Sequence, residues 1–152
     1  MLFRSGDVEI HSAAEFVRAK TMGGDIRIDE VDGAVSAETM GGDVNVTMIG
    51  NPSEKKRDVT ISSKGGDITL TVPAGLSMDV DIRIAYTKES WFDRKGYRIE
   101  SDFDLKEERT KDWDDDYGTP RKFIYGKGEI AGGKNKVRIE TINGNVYLKK
   151  GK

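Results

Sequence analysis

Apolar and polar residues alternate in short runs along most of this chain. In Val35-Ser36-Ala37-Glu38-Thr39 the odd-numbered residues share one face, with Ser36 and Glu38 on the other. In Asp43-Val44-Asn45-Val46 the two valines share a face and Asn45 lies opposite. A period of two predicts half-buried β-strands. Val35, Ala37, Val44 and Val46 are therefore expected in a core, and Ser36, Glu38 and Asn45 in solvent. The same phase returns along the chain. Val17, Val35, Val59 and Val137 correspond, as do Ala19, Ala37, Ile61 and Ile139. Ile26, Val44, Ile68 and Val146 form a third set; Ile28, Val46, Leu70 and Leu148 form a fourth. Stacked strand pairs would align these sets into continuous apolar columns. Leu76, Met78, Val80, Ile82, Ile84 and Tyr86 also alternate with other residues and predict one longer strand.

A motif joins the paired strands. Thr21-Met22-Gly23-Gly24-Asp25-Ile26-Arg27-Ile28 returns 18 positions later as Thr39-Met40-Gly41-Gly42-Asp43-Val44-Asn45-Val46. Ser63-Lys64-Gly65-Gly66-Asp67-Ile68-Thr69-Leu70 is a third copy and Thr141-Ile142-Asn143-Gly144-Asn145-Val146-Tyr147-Leu148 a fourth, while Gly6-Asp7-Val8-Glu9-Ile10 is a partial one. Short repeats mean stacked units that bury their apolar faces against one another. The glycine pairs are expected to turn the corner between strands, with at least one glycine of each pair at positive φ. The Asp that follows can accept a hydrogen bond from turn amides. The polar stretch Gly50-Asn51-Pro52-Ser53-Glu54-Lys55-Lys56-Arg57 lengthens one repeat and is expected to form a loop. The first Gly-Asp arrives with little room for a strand before it. From this, the chain is expected to be part of a longer protein that carries a signal, an anchor or earlier repeats.

The pattern breaks after Tyr86 and resumes near Phe123. The insertion, residues 88–122, is polar and highly charged. Yet nine of the twelve aromatics lie between Tyr86 and Tyr125, including Trp91 and Trp113, and disordered segments are poor in aromatics. These aromatics are expected either to cover the side or end of the stacked repeats or to present a ligand surface, since Trp and Tyr anchor interfaces and stack on sugars.

Little in the chain points to a reaction. The chain has 152 residues, no Cys, 34% charged residues and a net charge of −2. Disulfides and thiolate chemistry are excluded, and no basic stripe suits nucleic acid. No apolar run approaches the ~20 residues that span a bilayer. The lone histidine, His11, is expected at the surface without a catalytic role. Neither a nucleophile elbow nor a phosphate-binding glycine loop is present. Each Gly-Gly-Asp corner offers a single Asp, and the last corner has Asn145 instead, too few for the calcium sites of Asp-dense repeats. The acidic run Asp112, Asp114, Asp115 and Asp116 lacks the spacing of a calcium loop and is expected to be solvated. Glycoside cleavage would need two carboxylates ~5–10 Å apart across a sugar, and no pair stands out. The catalytic, cofactor and metal sets are therefore expected to be empty.

The Gly-Gly-Asp repeat, the turn Leu70-Thr71-Val72-Pro73-Ala74-Gly75 and the ending Gly132-Gly133-Lys134 to Leu148 resemble the bacterial adhesin-type β-strand-repeat family, also called the toastrack domain. The resemblance covers roughly residues 5–87 and 123–150. It implies an all-β, single-stranded, β-helix-like solenoid; the coil is expected to be right-handed, and the length suits one domain over residues 1–152. It also implies an extracytoplasmic or cell-envelope setting, and it supplies no established catalytic residues to carry over. The expected function is a non-enzymatic envelope binding or scaffold module with an envelope protein or glycan as partner. A polysaccharide-processing β-helix enzyme and a polymerising structural solenoid are the alternatives.

Overall fold

Strands form where the alternation predicts them, because each apolar face can be buried only against another sheet. A computed structural model describes residues 2–4, 7–13, 15–49, 58–73, 75–87, 98–103, 105–109, 121–130 and 132–151. The predicted loop at 50–57 lies outside these residues. Within them run β1 (Leu2–Arg4), β2 (Val8–Ile10), β3 (Phe16–Thr21), β4 (Ile26–Val31), β5 (Ala34–Thr39), β6 (Val44–Met48) and β7 (Val59–Ser63). There follow β8 (Ile68–Val72), β9 (Met78–Thr87), β10 (Ile99–Ser101), β11 (Lys106–Arg109), β12 (Arg121–Ile130), β13 (Asn135–Ile142) and β14 (Val146–Lys150). The described residues are all-β, without a helix. One sheet has the order β1-β3-β5-β7-β13-β9-β12-β11 and the other β10-β14-β8-β6-β4-β2. From β1 to β8 the chain alternates between them, so each successive strand pair forms one rung.

The apolar columns are present. Val17, Val35, Val59 and Val137 pair in register along the first sheet, with Ala19, Ala37, Ile61 and Ile139 beside them. Val8, Ile26, Val44, Ile68 and Val146 run along the second, with Ile28, Val46, Leu70 and Leu148 one step on. Every member of these columns is buried, and residues of both sheets form one core. Asn45 is exposed, as expected, but Ser36 and Glu38 are only half-exposed. Neighbouring rungs stand ~4.8 Å apart and shade the outer face; Lys20 Nζ, for instance, lies 3.9 Å from Glu38 Oε2.

The second half departs from this simple order. β9 does not pair with β7. The C-terminal strand β13 lies between them, parallel to both, and β14 likewise lies between β8 and β10. β12 runs antiparallel to β9 from Arg121↔Thr87 to Ile130↔Met78. Residues 88–120 thus connect the arms of a long hairpin. Two described pieces of that connection return to the sheets: β10 ends one and β11, antiparallel to β12, ends the other.

Candidate functional site

The repeated corner is the first place to look for chemistry. The expected positive φ is not there. Among described residues only Gly75, Gly132, Gly133 and Asn143 have it, and none belongs to a Gly-Gly-Asp pair. The glycines are required by proximity instead. A Cβ on Gly42 would sit 2.2 Å from the carbonyl oxygen of Gly24, and one on Gly66 would sit 2.3 Å from that of Gly42. On Gly144 the same atom would meet the Gly66 oxygen at 2.0 Å. The first glycine of the pair differs, since a Cβ on Gly23 or Gly41 would meet nothing within 4 Å. The buried hydroxyls of the next rung donate to the same carbonyls: Thr39 to Gly24 at 2.7 Å, Ser63 to Gly42 at 2.7 Å and Thr141 to Gly66 at 2.5 Å.

The Asp residues form a second ladder. Each carboxylate accepts the backbone N–H of its counterpart one rung on, not an amide of its own turn. Asp7 accepts from Asp25 at 2.9 Å, Asp25 from Asp43 at 2.8 Å, and Asp43 from Asp67 at 2.8 Å. Asp67 then accepts from Asn145 at 2.8 Å, and the Asn145 side-chain oxygen from Arg98 at 2.9 Å. One oxygen of each side chain is thus committed to holding rungs together. The described corners are structural devices. The ladder ends at Arg98, which brings no acceptor side chain to continue it.

At that same end the sheets leave a cleft. Gly126 on β12 presents no side chain, and a Cβ there would come within 2.9 Å of Ile99 Cδ1. Ile99 of β10 therefore fits the notch in β12 and closes the end of the core. Ile99, Ser101, Phe103, Leu105, Glu107 and Gly126 line a space of about 230 Å³. Asp102, Phe103, Glu129 and Ile130 line a second of about 370 Å³, so Phe103 belongs to both. The turn carrying Phe103 is pinned. Its N–H donates to Ser101 Oγ at 3.0 Å, Asp102 N–H donates to the Leu148 carbonyl at 3.0 Å, and the Asp102 carboxylate accepts Lys150 N–H at 2.9 Å. One carboxylate of the cleft is thereby tied to the end of β14.

The described aromatics around the insertion mostly pack on the fold. Tyr86 and Phe123 are buried. Phe123 stacks on Tyr125 at 5.9 Å, with the Arg83 guanidinium 5.7 Å from its ring centre. Phe103 is half-exposed in the cleft. Trp91, Trp113 and the acidic residues Asp112, Asp114, Asp115 and Asp116 lie outside the described residues.

The structure also gathers a group that no sequence motif singled out, although His11 and Asp29 stand 18 residues apart, the offset of the repeat. Glu9 and His11 lie on β2 and just beyond it, and Asp29 lies on β4; their ligand atoms fall within 4.8 Å of one another. The parallel register with an 18-residue offset brings them together. His11 Nδ1 is 3.2 Å from Asp29 Oδ2, while His11 Nε2 is 3.8 Å from Glu9 Oε1. The two carboxylates thus flank opposite nitrogens of one ring, whereas a metal ion would take one nitrogen. Arg27 Nε also holds Asp29 Oδ1 at 2.7 Å. That hydrogen bond holds the Asp29 carboxyl below the usual carboxylate range, and its partner Arg27 is raised. With His11 81% exposed, the group is a surface polar cluster bridging the first two complete strands of its sheet.

No helix among the described residues is long and apolar enough to cross a membrane. No curated protein and no solved structure matches the chain. The Toastrack DUF4097 family model matches residues 3–149, nearly the whole sequence, and includes the corners, the C-terminal rung and the end cleft. The chain belongs to the Toastrack DUF4097 family.

Proposed function

We propose that this protein is a non-enzymatic binding or scaffold module of the bacterial cell envelope, adhesin-like, wound as a single-stranded, right-handed β-solenoid. Right-handed crossovers are the general rule between parallel strands. The partner is an envelope protein or glycan, and its contact surface is the end cleft and the insertion that builds it.

The observation that carries this reading is the pinned, half-exposed Phe103 between two clefts at one end of a ladder-stiffened stack. A preorganised apolar ring with carboxylates beside it, here Glu107 and Glu129, is the kind of surface that stacks on a sugar or receives an apolar anchor. Rigid scaffolds commonly carry function on such terminal loops. The Arg98 end of the Asp ladder favours a binding module over a head-to-tail polymer, because a following rung would find no acceptor there.

Deleting residues 88–122 is a poor test, since β10 and β11 end both sheets. The sharper one is Phe103→Ala with Glu107→Lys, measured as retention on purified bacterial cell-wall sacculi and on whole envelope fractions. Retention should fall at least tenfold with the β-sheet circular dichroism unchanged. Equal retention by the folded variant would remove the cleft from consideration.

A further inference from the structure

The end cleft carries charge of one sign. Asp102, Glu107 and Glu129 line its two spaces, and no basic side chain lines either. Composition does not produce this bias, since the chain has 25 Lys and Arg against 27 Asp and Glu. Elsewhere on the surface opposite charges meet: Arg138 with Asp81, Arg83 with Glu140 and Arg98 with Glu100. Asp102 accepts Lys150 N–H with one oxygen, and an ionised carboxylate keeps further acceptor sites.

Glu129 is the least supported of these groups. On β12 it stands directly opposite Asp79 of β9, and like charges in that position repel. Asp79 faces Lys136 on its other side. Glu129 has no such neighbour, because the pairing of β11 with β12 ends at Lys127, and among the described residues it forms no ion pair. Its stem lies against the turn after β12, where a Cβ on Gly133 would come 2.9 Å from Glu129 Cγ. The residue is exposed at the rim of the larger space, which Phe103 also lines. A cation arriving there would relieve the repulsion from Asp79.

The walls select the form of that cation. Ile99, Phe103, Leu105 and Ile130 pack partly buried against the core, so the cleft is apolar toward the core and acidic at the rim. Lysine and arginine side chains have the matching form, an aliphatic stem and a charged head. The half-exposed Phe103 ring borders both spaces, and a cation over such a ring is attracted to its π face. At about 230 and 370 Å³ the spaces lie near the small end of ligand sites, ~300–1,000 Å³. They suit single long side chains, not a run of sugar rings.

We infer that this cleft takes a basic side chain, lysine or arginine, from an exposed segment of a partner protein. This rests on the binding role proposed above for the same cleft. It narrows the partner from an envelope protein or glycan to a protein segment with a basic residue among apolar ones.

Defined probes separate the sources of positive charge. They are capped leucine–lysine–leucine and leucine–arginine–leucine peptides, the first of these with its lysine acetylated, a tetramer of N-acetylglucosamine, and the deacetylated amino-sugar tetramer. Each is titrated into the isotope-labelled chain while the amide signals of Phe103, Leu105 and Gly126 are followed. The basic peptides should shift these signals and bind more tightly than the amino sugar, whereas the acetylated peptide and the neutral sugar should leave them in place. Glu129→Gln should weaken the basic peptides about fivefold, the scale of one good exposed ion pair, and Phe103→Ala at least as much. Glu9→Gln makes the same change in net charge at the opposite edge strand of the six-stranded sheet and should leave binding unchanged. The inference is overturned if neither basic peptide shifts the cleft signals, if the acetylated peptide binds equally, if either sugar binds more tightly, or if the Glu9 and Glu129 variants lose affinity alike. Should the variant Phe103→Ala with Glu107→Lys still lose retention on sacculi in such a case, the cleft binds another chemistry and only the basic side chain is excluded. Unchanged retention would remove the binding role of the cleft as well.

Discussion

Two adjacent glycines in one corner should respond in opposite ways to the same substitution. In Gly42→Ala the new Cβ would stand 2.2 Å from the Gly24 oxygen, 2.5 Å from its carbonyl carbon and 2.7 Å from Asp25 Oδ1. These neighbours are backbone and a pinned carboxylate, so none can swing aside. The rungs must separate locally by about 1 Å to reach ordinary contact. Two hydrogen bonds span that gap: Asp43 N–H to Asp25 Oδ1 at 2.8 Å and Thr39 Oγ1 to the Gly24 carbonyl at 2.7 Å. Each contributes about 1 kcal/mol net, and overpacking adds roughly 1–3 kcal/mol. The expected loss is about 3–5 kcal/mol, or a fall in Tm of roughly 6–20 °C for a chain of this size. Gly41→Ala meets nothing within 4 Å, and its φ lies outside the left-handed region. It should be neutral or stabilise by roughly 0.4–1 kcal/mol through the unfolded chain. Urea melts of both variants, read at constant m, decide the matter. Equal destabilisation by the two would refute the close-approach argument and restore a conformational requirement for the whole pair.

The Asp ladder gives a second contrast. Asp43→Asn keeps the acceptor for Asp67 N–H, as Asn145 does in the C-terminal rung, and should change stability by less than about 0.5 kcal/mol. Asp43→Ala leaves that half-buried N–H unpaired and should cost about 1–2 kcal/mol; an Asn variant as damaged as the Ala variant in the same urea melts would count against the ladder. A third expectation concerns pH. Because Arg27 lowers the folded-state pKa of Asp29, the small stabilisation from this pair is present above the ordinary aspartate value of ~3.9 and is lost as pH falls through the lower folded value. Carboxyl-detected NMR titration should place Asp29 below that ordinary value, and Arg27→Gln should move its midpoint upward; an unmoved midpoint would show that the contact does not persist in solution.

The columns were legible in the sequence because their signal is local. Alternation at period two assigns faces, and a fixed offset assigns register, so Val35, Ala37, Val44 and Val46 could be placed before any coordinates. The corner glycines were legible as necessary, but for a different reason from the real one. A glycine pair suggests a sharp turn when one rung is read alone. The contact that requires Gly42 belongs to the neighbouring rung, and only three-dimensional stacking supplies it. Asp43 follows the same logic, as its partner is the amide of Asp67 and not one of its own turn. In a repeat protein a recurring polar residue can therefore be an inter-rung bond, and repetition by itself does not mark a ligand site.

The position of β13 was not legible, because periodicity says which residues share a column but not the order of strands within it. Val59 and Val137 match in phase whether the C-terminal rung follows β9 or lies inside it. Sequential stacking is the simplest expectation, and a slot between β7 and β9 departs from it. The information that selects the slot is present, but it is distributed. Asp79, Asp81 and Arg83 on β9 carry the complement of Lys136, Arg138 and Glu140 on β13, a pattern that can be recognised only once the two strands are known to be neighbours. The end cleft is hidden for the same reason. Ile99 and Gly126 are unremarkable 27 residues apart in sequence, and become a side chain in a notch only when β10 and β12 close the same end of the core. What distinguishes this chain from a uniform stack of corners therefore lies in its non-sequential part. Described residues of the insertion line the cleft, and the C-terminal rung fills the gap between β7–β8 and β9–β10; neither placement follows from the repeat alone.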